Sequence, residues 1–117
     1  MRRGDVWWAR LEPRSGSEQR GDRPIVIVSS DGFNRVAAWR SLIVVPCSTS
    51  VAQMARAATV VSLPAGTCGL DVDTVALVHQ VTTIDRAKLS RKVGELTGDQ
   101  LAAVERAMVA AMDLPLP

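Results

Sequence analysis

The sequence predicts a mainly β domain of the α+β class, a curled sheet of short strands with one helix over its open side. Two observations carry this. Short runs rich in Val and Ile are separated by Gly, Pro, Ser and Asp, and the clearest 3.6-period apolar stripe lies at the end of the chain. A parallel βαβ plan is disfavoured, because each crossover needs a helix between strands and only the last segment is long enough. The 117 residues, 47% of them hydrophobic, correspond to a single domain over 1–117. That length buries a core without disulfides or a structural metal.

Taken in order, Asp5 to Leu11 mixes Trp and Val with polar residues and reads as a half-buried strand. Trp7 and Trp8 are adjacent and so face opposite ways; at most one enters the core, and the other packs in an interface or stays exposed. Glu12 to Asp22 holds Pro13, Gly16, Gly21 and two Ser without apolar period, as an exposed connection does. Pro24 to Val28 is a buried strand with its Pro at the permitted first position. Asp31 to Arg40 is a loop or a short helical turn, in which Trp39 caps the core or a dimer contact. Ser41 to Ser48, Ala58 to Leu63, Thr74 to His79 and Lys92 to Leu96 are further strands. Thr97 and Gln100 match the capping box that opens a helix. Leu101, Val104, Met108 and Ala111 then form its apolar stripe, and Pro115 stops it.

Scarce residues narrow the chemistry. With one His and no Tyr, a protomer supplies neither an imidazole acid–base pair nor a tyrosyl nucleophile. His79 with Cys47 and Cys68 does not make a zinc site, and Asp71-x-Asp73 alone is a solvated loop, so neither a metal nor another cofactor is expected. Two Cys and no signal-peptide pattern point to the cytoplasm with both thiols reduced, and no apolar window is long enough to span a membrane. The formal charge is only +2, but residues 1–40 carry eight Arg against five acids. An anion site should therefore draw on the first third of the chain.

Two places concentrate polar groups beside buried strands. At the first, Arg23 precedes Pro24 at the edge of the core; its planar fork suits either a phosphate or a salt bridge with Asp22 or Glu18. At the second, Ser48-Thr49-Ser50 ends a strand, where hydroxyls cap turns or contact a ligand. Gly-x-Ser-x-Gly is absent, so no hydrolase nucleophile elbow is present.

The opening Arg3-Gly4-Asp5-Val6-Trp7, the Gly16-Ser17-Glu18-Gln19 loop, Arg23-Pro24 and Val45-Pro46-Cys47-Ser48-Thr49 resemble the MazF/PemK toxins of bacterial toxin–antitoxin pairs. Gln80-Val81-Thr82-Thr83-Ile84-Asp85, Leu89, Val93-Gly94 and the terminal helix continue the match over essentially the whole chain. The resemblance implies an SH3-like β-barrel with a C-terminal helix, the MazF/PemK/CcdB-like fold, acting as a homodimer. It implies a sequence-specific, metal-independent endoribonuclease on single-stranded RNA (messenger, and ribosomal or transfer RNA as further targets). Attack by the 2′-hydroxyl would leave 2′,3′-cyclic phosphate and 5′-hydroxyl ends. A cognate antitoxin would lay an acidic or disordered segment across the RNA groove.

Carried over to this chain, the family's catalytic Arg falls on Arg23 and its catalytic Thr on Ser48, with Thr49 as the alternative hydroxyl. Ser retains the hydroxyl but lacks the methyl that restricts χ1. An Arg cannot easily act as the base. Glu18 is then the candidate proton acceptor, and His79 serves only if it points inward. RNA contacts implied by the pattern are Ser17, Glu18, Gln19, Asn34, Thr49 and Gln80. The competing reading is a non-catalytic toxin of the same fold that binds a protein such as DNA gyrase through the terminal helix.

Overall fold

The computed structural model describes residues 1–11, 21–50 and 58–115. Seven strands form one antiparallel sheet: β1 (Asp5–Leu11), β2 (Gly21–Ile27), β3 (Ser41–Ser48), β4 (Val60–Leu63), β5 (Thr74–Leu77), β6 (Thr82–Asp85) and β7 (Leu89–Glu95). A one-turn helix α1 (Asp31–Asn34) follows β2, and helix α2 (Gly98–Met112) ends the fold. The path runs β4-β5-β3-β2-β1-β7, and β6 also pairs with β3. Ser41 to Val44 of β3 pair with β6, whereas Cys47 and Ser48 pair with β5. Two strands thus share one edge of β3, one after the other, and the sheet bends where the partner changes.

That bend separates two cores. Trp7, Ala9, Leu11, Ile25, Ile27, Leu42 and Val44 gather on one face, with Ile84 and Leu89 packed against them. A 3-10 turn (Arg86–Lys88) carries the chain from β6 at the β3 edge to β7 beside β1, and so wraps this small interior. On the opposite face Val6, Val26, Val45 and Cys47 meet Val61, Leu63 and Ala76 of the β4–β5 hairpin and Val104 and Ala107 of α2. Mainly β architecture with a covering C-terminal helix is therefore present; the curled sheet remains open, its path ending at β4 and β7.

The open seam is filled by backbone contact. Between β4 and β5 the chain makes a compact turn, with Gly66 N–H donating to Leu70 O at 2.8 Å and Leu70 N–H to Thr67 O at 2.9 Å. Its Cys68-Gly69 segment presses on Val93-Gly94 of β7 so closely that a Cβ on Gly69 would collide with the Val93 carbonyl, and one on Gly94 with the Cys68 carbonyl. Gln100 ties this turn to α2. Its Oε1 accepts from the Thr97 N–H at 2.9 Å, which with Thr97 Oγ1 accepting from the Gln100 N–H completes the capping box. The same side chain also accepts from Cys68 Sγ at 3.1 Å and donates to Thr67 Oγ1 at 3.3 Å.

Several elements depart from the sequence reading. β2 starts at Gly21, because Gly21, Asp22 and Arg23 pair with Leu11, Arg10 and Ala9. β5 stops at Leu77, where Val78–Gln80 turn into a 3-10 helix, and β7 starts at Leu89. The short strand β6 was not anticipated, since Thr-Thr-Ile-Asp alone shows too little apolar pattern. In α2 the buried positions are Val104 and Ala107, whereas Ala111 is exposed. The helix ends at Asp113 in the left-handed conformation, before Pro115 is reached. Trp39 does not cap the core within this protomer; it is exposed and stacks on Phe33 with ring centroids 4.7 Å apart.

Candidate functional site

Strand pairing brings the two polar junctions together. β2 and β3 pair as Ile25↔Pro46, Val26↔Val45 and Ile27↔Val44. The ladder stops at Ile25↔Pro46, and Ser48 pairs with Val75 of β5 on its other edge; extended past that last pair, the register would bring Arg23 level with Ser48 after two residues and Asp22 level with Thr49 after three. The sheet thus brings the start of β2, which carries the guanidinium, and the end of β3, which carries the hydroxyl, to one region although they lie far apart in sequence. Ser48 is 3% exposed. Its Oγ accepts the Ser50 N–H at 3.1 Å, which fixes the oxygen and leaves the hydroxyl hydrogen for another acceptor.

Beside this pair opens a cleft of about 390 Å³. Asp22, Arg23 and Pro24 of β2 line it together with Cys47 and Thr49. Trp8 of β1 and Arg91 of β7 form another side, and Gly69 to Val72 and Thr74 the remaining one. Alternation places Trp8, Pro24, Cys47 and Thr49 on one face of the sheet and Arg23 and Ser48 on the other. Arg23 lies beyond the last β2–β3 pair, Ile25↔Pro46, and lines the cleft there. Burial pushes the Cys47 thiol up to about 12, with Cys68 nearby adding to the effect, so Cys47 contributes a neutral apolar wall. Asp22 pairs loosely with Arg10 at 3.9 Å, both side chains being well exposed.

Other residues singled out in the sequence sit elsewhere. Asn34 is buried in the α1 turn, where Nδ2 donates to Ser29 O at 2.8 Å and to Asp31 Oδ1 at 3.1 Å, and Oδ1 accepts from Ser29 Oγ at 2.6 Å. With both donors and its acceptor used, its amide shapes a turn. Asp31 is held below the usual carboxylate range, first by the Arg3 N–H and then by Asn34. His79 is exposed, its Nδ1 3.4 Å from Thr59 Oγ1, and it does not line the cleft. Gln80 is half-buried in the adjacent 3-10 turn and likewise does not line the cleft. Ser17, Glu18 and Gln19 lie outside the described residues. Among those described, no three His, Cys, Asp or Glu converge as a metal site, and no helix is long and apolar enough to cross a membrane.

Arg91 was missed by sequence reasoning. It stands directly across from Trp8 in the β1–β7 ladder, with its guanidinium carbon 5.7 Å from the ring centroid. A strand start placed at Lys92 hides that pairing.

Residues 2–112 match the family model for the PemK-like, MazF-like toxin of type II toxin–antitoxin systems. The chain is 36% identical to the endoribonuclease MazF9 of Mycobacterium tuberculosis (strain ATCC 25618 / H37Rv), covering 97% of this chain and 98% of that protein. It is 33% identical to the endoribonuclease EndoA of Bacillus subtilis (strain 168), with 97% and 96% covered. Among solved structures, MazF (Form-I) from Deinococcus radiodurans superposes with a TM-score of 0.79 at 24% identity, over 97% of this chain and 96% of that one. An endoribonuclease in complex with its cognate antitoxin from Mycobacterial species gives 0.77, also at 24%, over 100% and 99%. By sequence over nearly its whole length, this chain belongs to the PemK/MazF family of toxins from type II toxin–antitoxin systems.

Proposed function

We propose that the chain is an endoribonuclease toxin that cleaves single-stranded RNA in the cytoplasm and is held inactive by a cognate antitoxin. The observation that supports this is the antiparallel β2–β3 pairing, which runs to Ile25↔Pro46 and so brings the strand ends bearing Arg23 and Ser48 to one region, with Arg23 and Thr49 lining a cleft there. Attack by the RNA's own 2′-hydroxyl on the adjacent phosphate builds negative charge on the phosphoryl oxygens, and a fixed guanidinium stabilises that charge without changing protonation. Ser48 donates its hydroxyl hydrogen to the same group, and Thr49 contacts the RNA from the cleft. Arg23 does not take the 2′-hydroxyl proton, because a guanidinium stays protonated and has no lone pair to accept it. We assign that role to Glu18, beside Ser17 and Gln19 as RNA contacts.

Purified protein incubated in EDTA with a long RNA should cut it at defined sites and leave 2′,3′-cyclic phosphate ends. Arg23→Ala should lower the rate by roughly a hundredfold or more. Ser48→Ala should lower kcat more than Thr49→Val does; the reverse order would move the catalytic role to Thr49. Glu18→Gln should lower kcat, and a wild-type kcat in that variant would move the proton acceptor elsewhere. An active preparation that cuts no RNA, or an undiminished Arg23→Ala variant, refutes the reading.

A homodimer is part of the proposal. Exposed Phe33, Val36 and Trp39 make an apolar face around Arg86, which donates to the carbonyl oxygens of Phe33, Asn34, Val36 and Trp39 at 2.8 to 3.0 Å. A loop held this firmly offers a preformed surface to a second copy. Light scattering should give a dimer for the wild type and a monomer for Trp39→Glu.

A further inference from the structure

We propose that Trp8 and Arg91 form the stacking wall for one unstacked nucleobase of the RNA, next to the scissile phosphate. The proposal rests on the reading of the chain as a single-strand ribonuclease and deepens it by naming what fills the cleft.

The wall is built on paired strands, with Trp8 and Arg91 directly opposite each other in the β1–β7 ladder. Ser90 Oγ donates to the Trp8 carbonyl at 3.1 Å, which ties the two strands at the same point. The Arg91 guanidinium lies 5.7 Å from the indole centroid, so its charge is directed at the ring. On its other side β1 pairs with β2 as Trp8↔Pro24, so the indole stands across from the residue that follows the proposed catalytic Arg, and both Trp8 and Arg23 line the cleft.

The chemistry of the lining selects the occupant. About 390 Å³ is the scale of a small-ligand site and admits a single base but no duplex. Asp22 and Asp71 line the cleft with Arg23 and Arg91, so its formal charges cancel and it offers a phosphate no net attraction. An uncharged planar ring fits instead, stacked on the indole face or on the guanidinium plane, as splayed bases do on aromatic and Arg side chains in single-strand recognition. The backbone phosphate then sits beside the base at Arg23.

Equilibrium binding of a random pool of 2′-O-methyl RNA octanucleotides tests this without cleavage, since methylation removes the attacking hydroxyl. Wild type should bind, Arg91→Ala and Trp8→Leu should each bind about tenfold more weakly, and Trp8→Phe, which keeps a ring, should stay within about twofold. Arg91 is exposed, so its variant carries the test even if Trp8→Leu fails to fold. On cleavable RNA, Arg91→Ala should raise KM and leave kcat unchanged; a merely structural pair would shift the melting temperature and neither of these. Wild-type affinity in Arg91→Ala, or no binding by the wild type, overturns the proposal. Wild type that binds the pool and cuts no RNA refutes the ribonuclease reading instead, while the wall is still judged by the affinities.

Discussion

Cys47 shows how one buried residue ties the core to the site. It is fully buried between the sheet face and the β4–β5 hairpin, it lines the cleft, and its pKa is raised to about 12. Folding therefore favours the protonated thiol. Its stabilising contribution is intact below the unfolded pKa near 9 and is lost as pH rises toward 12, at up to roughly 1.4 kcal/mol per pH unit. Lys92, raised chiefly by its hydrogen bond to Glu95 and further by Asp5, acts with the same sign. Because the chain has no Tyr, few other groups titrate in that window. Urea midpoints should fall between pH 9 and 11, and Cys47→Ala should flatten most of that slope. At pH 8, iodoacetamide should leave Cys47 unmodified in the native protein and label it in urea.

At the scale of elements, the seam between the β4–β5 turn and β7 carries the sharpest consequence. Gly94→Ala would drive a methyl into the Cys68 carbonyl, with backbone on both sides and no flexible side chain to yield. It should cost about 3 kcal/mol or more, at the upper end of single substitutions. Gly98→Ala is the control: it lies in the first turn of α2 with nothing within 4 Å, so it should be neutral or stabilise by up to about 1 kcal/mol. Thr97→Ala removes the cap and should cost about 1 kcal/mol. Chemical denaturation of the three variants checks the order. The cap was legible in the sequence because Thr97-x-x-Gln100 is local chemistry, β1 because Trp and Val mix with polar residues, and β3 because of its Ile43-Val44-Val45 run. The seam was not, since a glycine inside a strand says that something approaches closely without saying what. β6 was not legible either, because its stability comes from Ser41 to Val44 across the ladder.

For the molecule as a whole, the legible part of the site was the part marked by local punctuation. Arg23 is flagged by the Pro that follows it and Ser48 by the strand end. Arg91 acquires its role only through a strand pairing with a residue 83 positions away, which no local pattern encodes, and Asn34, drawn in by resemblance, is bound up in a turn. Charge counting points to the first third of the chain; of the basic residues that line the cleft, Arg23 comes from that third and Arg91 from the last, and Asp22 and Asp71 offset both. A site so nearly balanced, on a chain of formal charge +2, should engage few phosphates. Binding of single-stranded RNA releases counterions with a slope of about −0.7 per phosphate contacted, so log affinity against log salt should fall with a slope of about −2, far shallower than for strongly basic RNA-binding proteins. Arg23→Ala should reduce that slope by about 0.7, because Arg23 faces the phosphate. Arg91→Ala should lower affinity at every salt concentration and leave the slope nearly unchanged, because its partner is a ring. Equal slope changes in the two variants would mean that both Arg contact phosphate and that the base lies elsewhere.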